Sequence, residues 1–143
     1  LNSWMGICPL ICEDLARQDP VAEVVRAVGP TLVIALLFDG PQLNTRWPAR
    51  YATVLADDPG SSVLTVTSLG MAKRSRPEGV EPTPVIGLWK DVILGARQIR
   101  LDKGSKAVVL TVHVDWRSEW AADGRLCEDT AATLYLSAIE QIP

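Results

Sequence analysis

Apolar positions along this chain follow two patterns, near-continuous runs that predict strands and a helical repeat that predicts helices. From Met5 to Cys12 they run almost unbroken up to Glu13 and Asp14, the pattern of a strand buried on both faces despite Pro9. Thr31 to Phe38 repeats that pattern without polar alternation, as a central strand covered on both sides does. Between them Asp19 can cap a helix with Pro20 in its first turn. Val21, Val24, Val25 and Val28 then recur along one helical face until Gly29 and Pro30 stop it. Leu43, Trp47, Tyr51, Val54 and Leu55 mark a second helix, whose start Pro48 blurs, and Ser62 to Ser68 is a third strand rich in β-branched residues. Two strand-helix-strand units sharing their middle strand predict an α/β sheet with helices against it.

The rhythm then breaks. Gly70 to Pro84 contains glycine, prolines and most of a basic cluster (Lys73, Arg74, Arg76), which predicts an irregular loop over residues 71–84. Val85 to Leu88, Gly95 to Leu101 and Ala107 to Val114 are expected to be three shorter, antiparallel strands, with a turn at Asp102 to Gly104. Ala131, Leu134, Tyr135, Ala138 and Ile139 form a helical stripe, so Thr130 to Ile142 is predicted to close the chain as a helix.

Composition narrows the class without naming a function. With 48% apolar and 22% charged residues, the 143-residue chain can build one core, and no run approaches the roughly 20 apolar residues that span a bilayer. The first residues have neither the basic flank nor the apolar core of a signal peptide, and the chain does not begin with methionine, so a fragment of a longer protein is expected. A formal charge of -3 provides no field for nucleic acid or an anionic membrane, and neither is expected as a partner. Cys8, Cys12 and Cys127 cannot all pair within one chain, which points to thiols in a reducing compartment and a cytoplasmic location.

Cys12 is the residue that could carry chemistry. It stands where a buried strand runs out into a turn, as a nucleophile is displayed in α/β enzymes. A thiol there would need a base, donors for an oxyanion, and a water to release the acyl group. A small buried apolar cysteine would fit the same position.

The segment Gly6-Ile7-Cys8-Pro9-Leu10-Ile11-Cys12-Glu13-Asp14-Leu15 resembles the nucleophile motif of the nitrilase superfamily of carbon-nitrogen hydrolases, where a glycine and an apolar strand lead to a Cys-Glu or Cys-Tyr pair. The Cys-Glu-Asp version is most similar to glutamine-amidase members. The resemblance extends through the helix containing Trp47 and Arg50 and the strand from Val63 to Gly70, about the first half of the chain. It implies an α-β-β-α sandwich of which residues 1–143 would be the carboxy-terminal portion, about half of one domain. It further implies hydrolysis of a non-peptide carbon-nitrogen bond, in a small amide or nitrile, through a thioester on Cys12, with the Glu13 backbone N–H helping to hold the oxyanion. No cofactor or metal is implied, and a homo-oligomer is. The family's glutamate base and lysine lie upstream of its cysteine, yet the eleven residues before Cys12 contain neither type, and Lys73, Lys90, Lys103 and Lys106 match no motif position. The missing upstream half of the domain is therefore an expected partner, and the isolated chain is expected to be inactive.

Other chemistry has less support. Cys8 and Cys12 lack a second pair of zinc ligands nearby, and His113, the only histidine, is expected on the strand face opposite Val108, Leu110, Val112 and Val114. No Gly-x-Ser-x-Gly turn and no phosphate-binding glycine loop occurs. Asp39-Gly40-Pro41 reads first as a turn, but it follows a strand at the end where α/β sheets bind ligands, so Phe38 and Asp39 are candidate substrate-binding residues. The alternatives to an enzyme are a nitrilase-like binding or assembly domain without its catalytic partners, and an unrelated doubly wound domain in which Cys12 is only packing.

Overall fold

The structure, a computed structural model, describes residues 4–75, 78–79, 81–120 and 122–143. Its centre is a five-stranded sheet in the order β1 (Ile7–Ile11), β2 (Leu32–Leu36), β3 (Ser62–Val66), β4 (Val85–Asp91) and β5 (Gly95–Arg100). The first three strands are parallel and the last two antiparallel, so the sheet is mixed and the fold is α/β. The parallel crossovers are the two predicted strand-helix-strand units. Among the described residues no helix is long and apolar enough to cross a membrane.

Both crossover helices lie against one face of the sheet. Helix α1 (Glu23–Val28) follows an irregular helical turn, Gln18–Ala22, in which Asp19 is extended, and it ends at Gly29 in the left-handed conformation that glycine adopts without strain. Helix α2 (Trp47–Asp57) accommodates Pro48 in its first turn, where the missing N–H has no helical partner to lose. Its buried face is Pro48, Ala49, Ala52, Leu55 and Ala56, while Val54 of the predicted stripe is exposed. The alanines let the helix approach closely, and Leu55 and Ala52 pack with Leu10, Val25, Val33, Ala35, Leu37 and Val63. Each fully buried leucine or valine there contributes about 1.5–3 kcal/mol relative to exposure.

The opposite face carries a long hairpin of β6 (Ala107–Trp120) and β7 (Leu126–Ile142), which pair with each other as a separate two-stranded sheet. Leu134 and Leu136 of β7 pack on Leu32, Trp89 and Ile99. Ser62 Oγ donates to the Leu134 carbonyl at 2.6 Å, and Arg97 Nη1 donates to the Leu136 carbonyl at 2.6 Å, which fastens β7 across β3 and β5.

Three expectations need correction. The carboxy-terminal segment is strand β7, not a helix. The reason is a bulge: Thr111 pairs with Ala138 and Val112 with Leu136, so Ser137 is an extra residue and its hydroxyl donates to the Thr111 carbonyl at 2.9 Å. Core contacts at Leu134, Leu136 and Ile139 thereby change from a spacing of two to three, while Tyr135 of the predicted stripe pairs with His113 on the outer face. Second, the predicted loop opens with a short helix α3 (Leu69–Arg74), capped by Ser68 Oγ accepting from Met71 N–H at 3.2 Å. Of the remainder, Arg76, Pro77 and Val80 lie outside the described residues. Third, β6 does not join β5 in the sheet; it crosses to the other layer and pairs with β7.

The two apolar runs are also less covered than their patterns predict. Ile7 and Ile11 pair in register with Leu32 and Leu36, which places all four on the hairpin side of the sheet. The hairpin reaches Leu32, but Ile11 remains 60% exposed and Leu36 49% exposed. One face is sealed and the other is covered over part of its area.

Candidate functional site

The carboxyl ends of the parallel strands β1, β2 and β3 lie at one edge of the sheet, and Cys12 and the Phe38–Asp39 turn lie together there. Strand β1 ends at Ile11, and the chain turns at once through a 3-10 turn, Cys12–Ala16. Cys12 has φ of 50°, and among the described residues it is the only non-glycine residue with positive φ. A left-handed cysteine costs about 1–3 kcal/mol, so the surrounding bonds must hold it. One of them is the Asp14 carboxylate, whose Oδ2 accepts from the Ile11 N–H at 3.3 Å, while the Asp14 carbonyl accepts from Arg17 N–H at 3.2 Å. A sharp strand-to-helix turn with a strained residue at its apex is how α/β hydrolases expose a nucleophile. Cys12 is part-buried and Glu13 is exposed.

Cys8, two residues before Leu10 on the same strand, has a different environment. Its side chain packs against the helix-side core, and burial raises its thiol pKa above the ordinary 9.0.

Beyond β2, Phe38 is 75% exposed beside the end of β1. Asp39 turns inward. Its Oδ1 accepts from Arg46 Nη2 at 2.8 Å and from the Gly40 N–H at 2.7 Å, and its carbonyl accepts from Thr67 Oγ1 at 2.6 Å. Its Oδ2 is buried without a hydrogen-bond partner among the described residues. Gln42 continues the network, donating from Nε2 to the Gly40 carbonyl and accepting from Thr65 Oγ1, both at 2.9 Å. Gly40 has no room for a side chain, because an added Cβ would stand 2.7 Å from the Ser75 carbonyl. These bonds tie the turn after β2 to β3 and to Thr67 just beyond it, and Gly40 stands close against Ser75 at the end of α3. The structure thus brings Cys12, Glu13, Phe38 and Asp39 to one end of the sheet, with Phe38 open and the Asp39 carboxylate committed to Arg46.

Arg46, Gln42, Thr65 and Asp14 were not among the residues predicted from sequence. Gln42 precedes and Arg46 falls within the stretch that the stripe from Leu43 assigns to a helix, whereas the helix begins only at Trp47, and Thr65 reads as an ordinary β-branched strand residue. Asp14 could have been found, because a carboxylate two residues after a strand-end cysteine is in reach of the strand's last N–H.

Other predicted or notable residues lie away from this edge. His113 is exposed on the outer face of the hairpin, its ring centroid 5.8 Å from that of Tyr135, while Val108, Leu110 and Val114 face the core. A cleft of about 520 Å³ lies at the opposite end of the parallel strands, lined by Trp4, Thr31, Asp57, Trp116 and Arg117 among others. Trp4 and Trp116 meet there edge to face, with centroids 5.5 Å apart. This cleft is not lined by a cysteine and lies at the opposite end of the sheet from Cys12.

No known protein family, curated protein or solved structure matches the chain.

Proposed function

We propose that this chain is the nucleophile-bearing part of a nitrilase-type carbon-nitrogen hydrolase. The observation that carries the reading is Cys12 itself: a cysteine in left-handed conformation at the carboxyl end of a parallel strand, leading directly into a helical turn. In the proposed reaction Cys12 Sγ attacks the carbon of a small amide, its proton passing to a base. The carbon-nitrogen bond breaks as ammonia or an amine leaves with a proton, and water then cleaves the thioester to a carboxylic acid, restoring the thiol. The Glu13 N–H would help hold the oxyanion, and Phe38 would form an apolar wall for the substrate. A nitrile would enter the same cycle as a thioimidate.

The base and the lysine would come from a polypeptide segment upstream of this chain. The partly bare face at Ile11 and Leu36 supports that reading, since strands whose sequence suits cover on both faces have it in full on one and in part on the other. The sandwich of two sheets between helices belongs to the same proposal, with the hairpin as the beginning of the second sheet.

The test is an acyl-transfer reaction on the chain alone. With 4-nitrophenyl acetate, Cys12 is expected to release one equivalent of 4-nitrophenolate and to keep the acetyl group, because the groups that would hydrolyse the thioester are elsewhere. Acetylation spread over all three cysteines at similar rates would refute the reading. The bare face also favours a second reading, a nitrilase-like assembly domain with lapsed chemistry; its mark would be an upstream segment that contains neither the glutamate base nor the lysine.

A further inference from the structure

The Asp14 side chain does not face the sheet edge as a spare acid; it reaches back across Cys12 to the last N–H of β1. We infer that Asp14 is a positioning residue for the Cys12 nucleophile, an inference that rests on the proposed cysteine chemistry. Three observations converge on it. Cys12 has the one positive φ among described non-glycine residues, so it will relax if the turn is loosened. The bond from Ile11 N–H to Asp14 Oδ2 closes a loop with Cys12 and Glu13 inside it, and so fixes the residue before the thiol to the residue after the oxyanion donor. The Asp14 carbonyl also accepts from Arg17 N–H, which anchors the carboxylate's own backbone in the following turn.

The direction of the Ile11 N–H strengthens the case. Strand β1 lies at the edge of the sheet, with β2 as its one partner. Leu32 N–H donates to the Gly6 carbonyl, and in a parallel ladder the groups aimed at the neighbour alternate, so the Ile11 N–H points away from β2. Pro9, two residues earlier and aimed the same way, has no N–H at all. Asp14 therefore takes the donor that would otherwise be open at the tip of the edge strand, and the same bond sets the angle at which the strand hands over to the turn.

The consequence concerns reactions in which geometry matters. Acyl transfer requires Sγ and the Glu13 N–H to address one carbonyl group together, whereas alkylation requires only an accessible thiolate. Loosening the turn should impair the first far more than the second. In acyl transfer to the chain the Cys12 sulfur forms a bond to the ester carbon, the carbon-oxygen bond breaks, 4-nitrophenolate leaves, and the thiol proton passes to buffer.

The experiment compares the full chain with Asp14→Ala and Asp14→Asn, measuring acetylation by 4-nitrophenyl acetate and alkylation by iodoacetamide at Cys12 by peptide mass mapping. Asp14→Ala should lower the acetylation rate about tenfold and the alkylation rate by less than about twofold. Asp14→Asn, which keeps a side-chain oxygen to accept from Ile11, should return acetylation to within about twofold of the parent. Equal changes in both reactions, or acetylation unchanged by Asp14→Ala, would overturn the inference. An Asp14→Ala chain that fails to fold is recognised by loss of its cooperative unfolding transition, and then the Asn variant decides: acetylation at Cys12 as slow as at Cys8 would count against positioning by an oxygen acceptor. If the parent chain shows no preference for acetylation at Cys12 over Cys8 and Cys127, the proposed chemistry has failed instead, and the two failures are distinct.

Discussion

The two faces of the five-stranded sheet are built from equally apolar strands but differ in what covers them. On the helix side Val33, Ala35, Val63, Ala52 and Leu55 are buried, and α2 lies close because alanines line its contact face. On the hairpin side Trp89, Leu134 and Leu136 are equally buried, but the cover stops before Ile11 and Leu36. Strength on the second face is therefore concentrated around Trp89, and the end next to Cys12 is left open. The proposed function reads the strand end that displays a thiol and the bare apolar surface beside it as one site, completed by further polypeptide.

Mutations should reveal this unevenness, with the largest effect at the centre of the hairpin side. Trp89→Ala should cost about 3–5 kcal/mol in denaturant unfolding, since it removes a fully buried indole and leaves Asp91, whose Oδ2 accepts from Trp89 Nε1 at 2.6 Å, without that donor. Leu55→Ala on the helix side should cost about 2–5 kcal/mol by the same measurement. A loss much larger for Leu55 than for Trp89 would mean that the hairpin is loosely held and that the two faces differ more than proposed. Arg46→Ala should cost about 1–3 kcal/mol, because the part-buried Asp39 carboxylate would lose its charged partner. Leu36→Asp, in the bare region, should change stability by no more than about 0.5 kcal/mol and should improve solubility at high concentration. Strong destabilisation there would show that something in the chain covers Leu36 in solution.

A smaller effect should come from pH. Burial raises the Cys8 pKa in the folded state above the ordinary 9.0, so the unfolded chain loses this proton first. The stability associated with the protonated thiol is therefore complete below that value and declines as pH rises through it and onward to the folded pKa. Cys8→Ala should flatten that part of the stability-pH curve.

How much of this was legible in the sequence follows from local geometry. The parallel half could be read because its strands are short apolar runs and its helices stop at Gly29 or start near Pro48, signals that do not depend on distant contacts. Strand β7 was misread because the bulge at Ser137 moves the phase of alternation, and nothing local in the sequence announces a bulge. Helix α3 was hidden by Gly70 and by the prolines that follow; its evidence is the cap at Ser68, a single hydrogen bond. At the candidate site, Cys12 was found by its place at a strand end and by resemblance, whereas the Asp39–Arg46 pair and the Gln42–Thr65 bond depend on two loops meeting in space. The open face was hidden for a different reason. An apolar pattern states what a strand is suited to touch, and the hairpin covers only part of that face.

The most direct test of the central claim is site-resolved alkylation of the native chain by iodoacetamide at neutral pH. The account predicts that Cys12 reacts first and well ahead of Cys8, which should be modified only as the chain unfolds. Cys12 protected until denaturation would make it an ordinary packing residue and contradict the account.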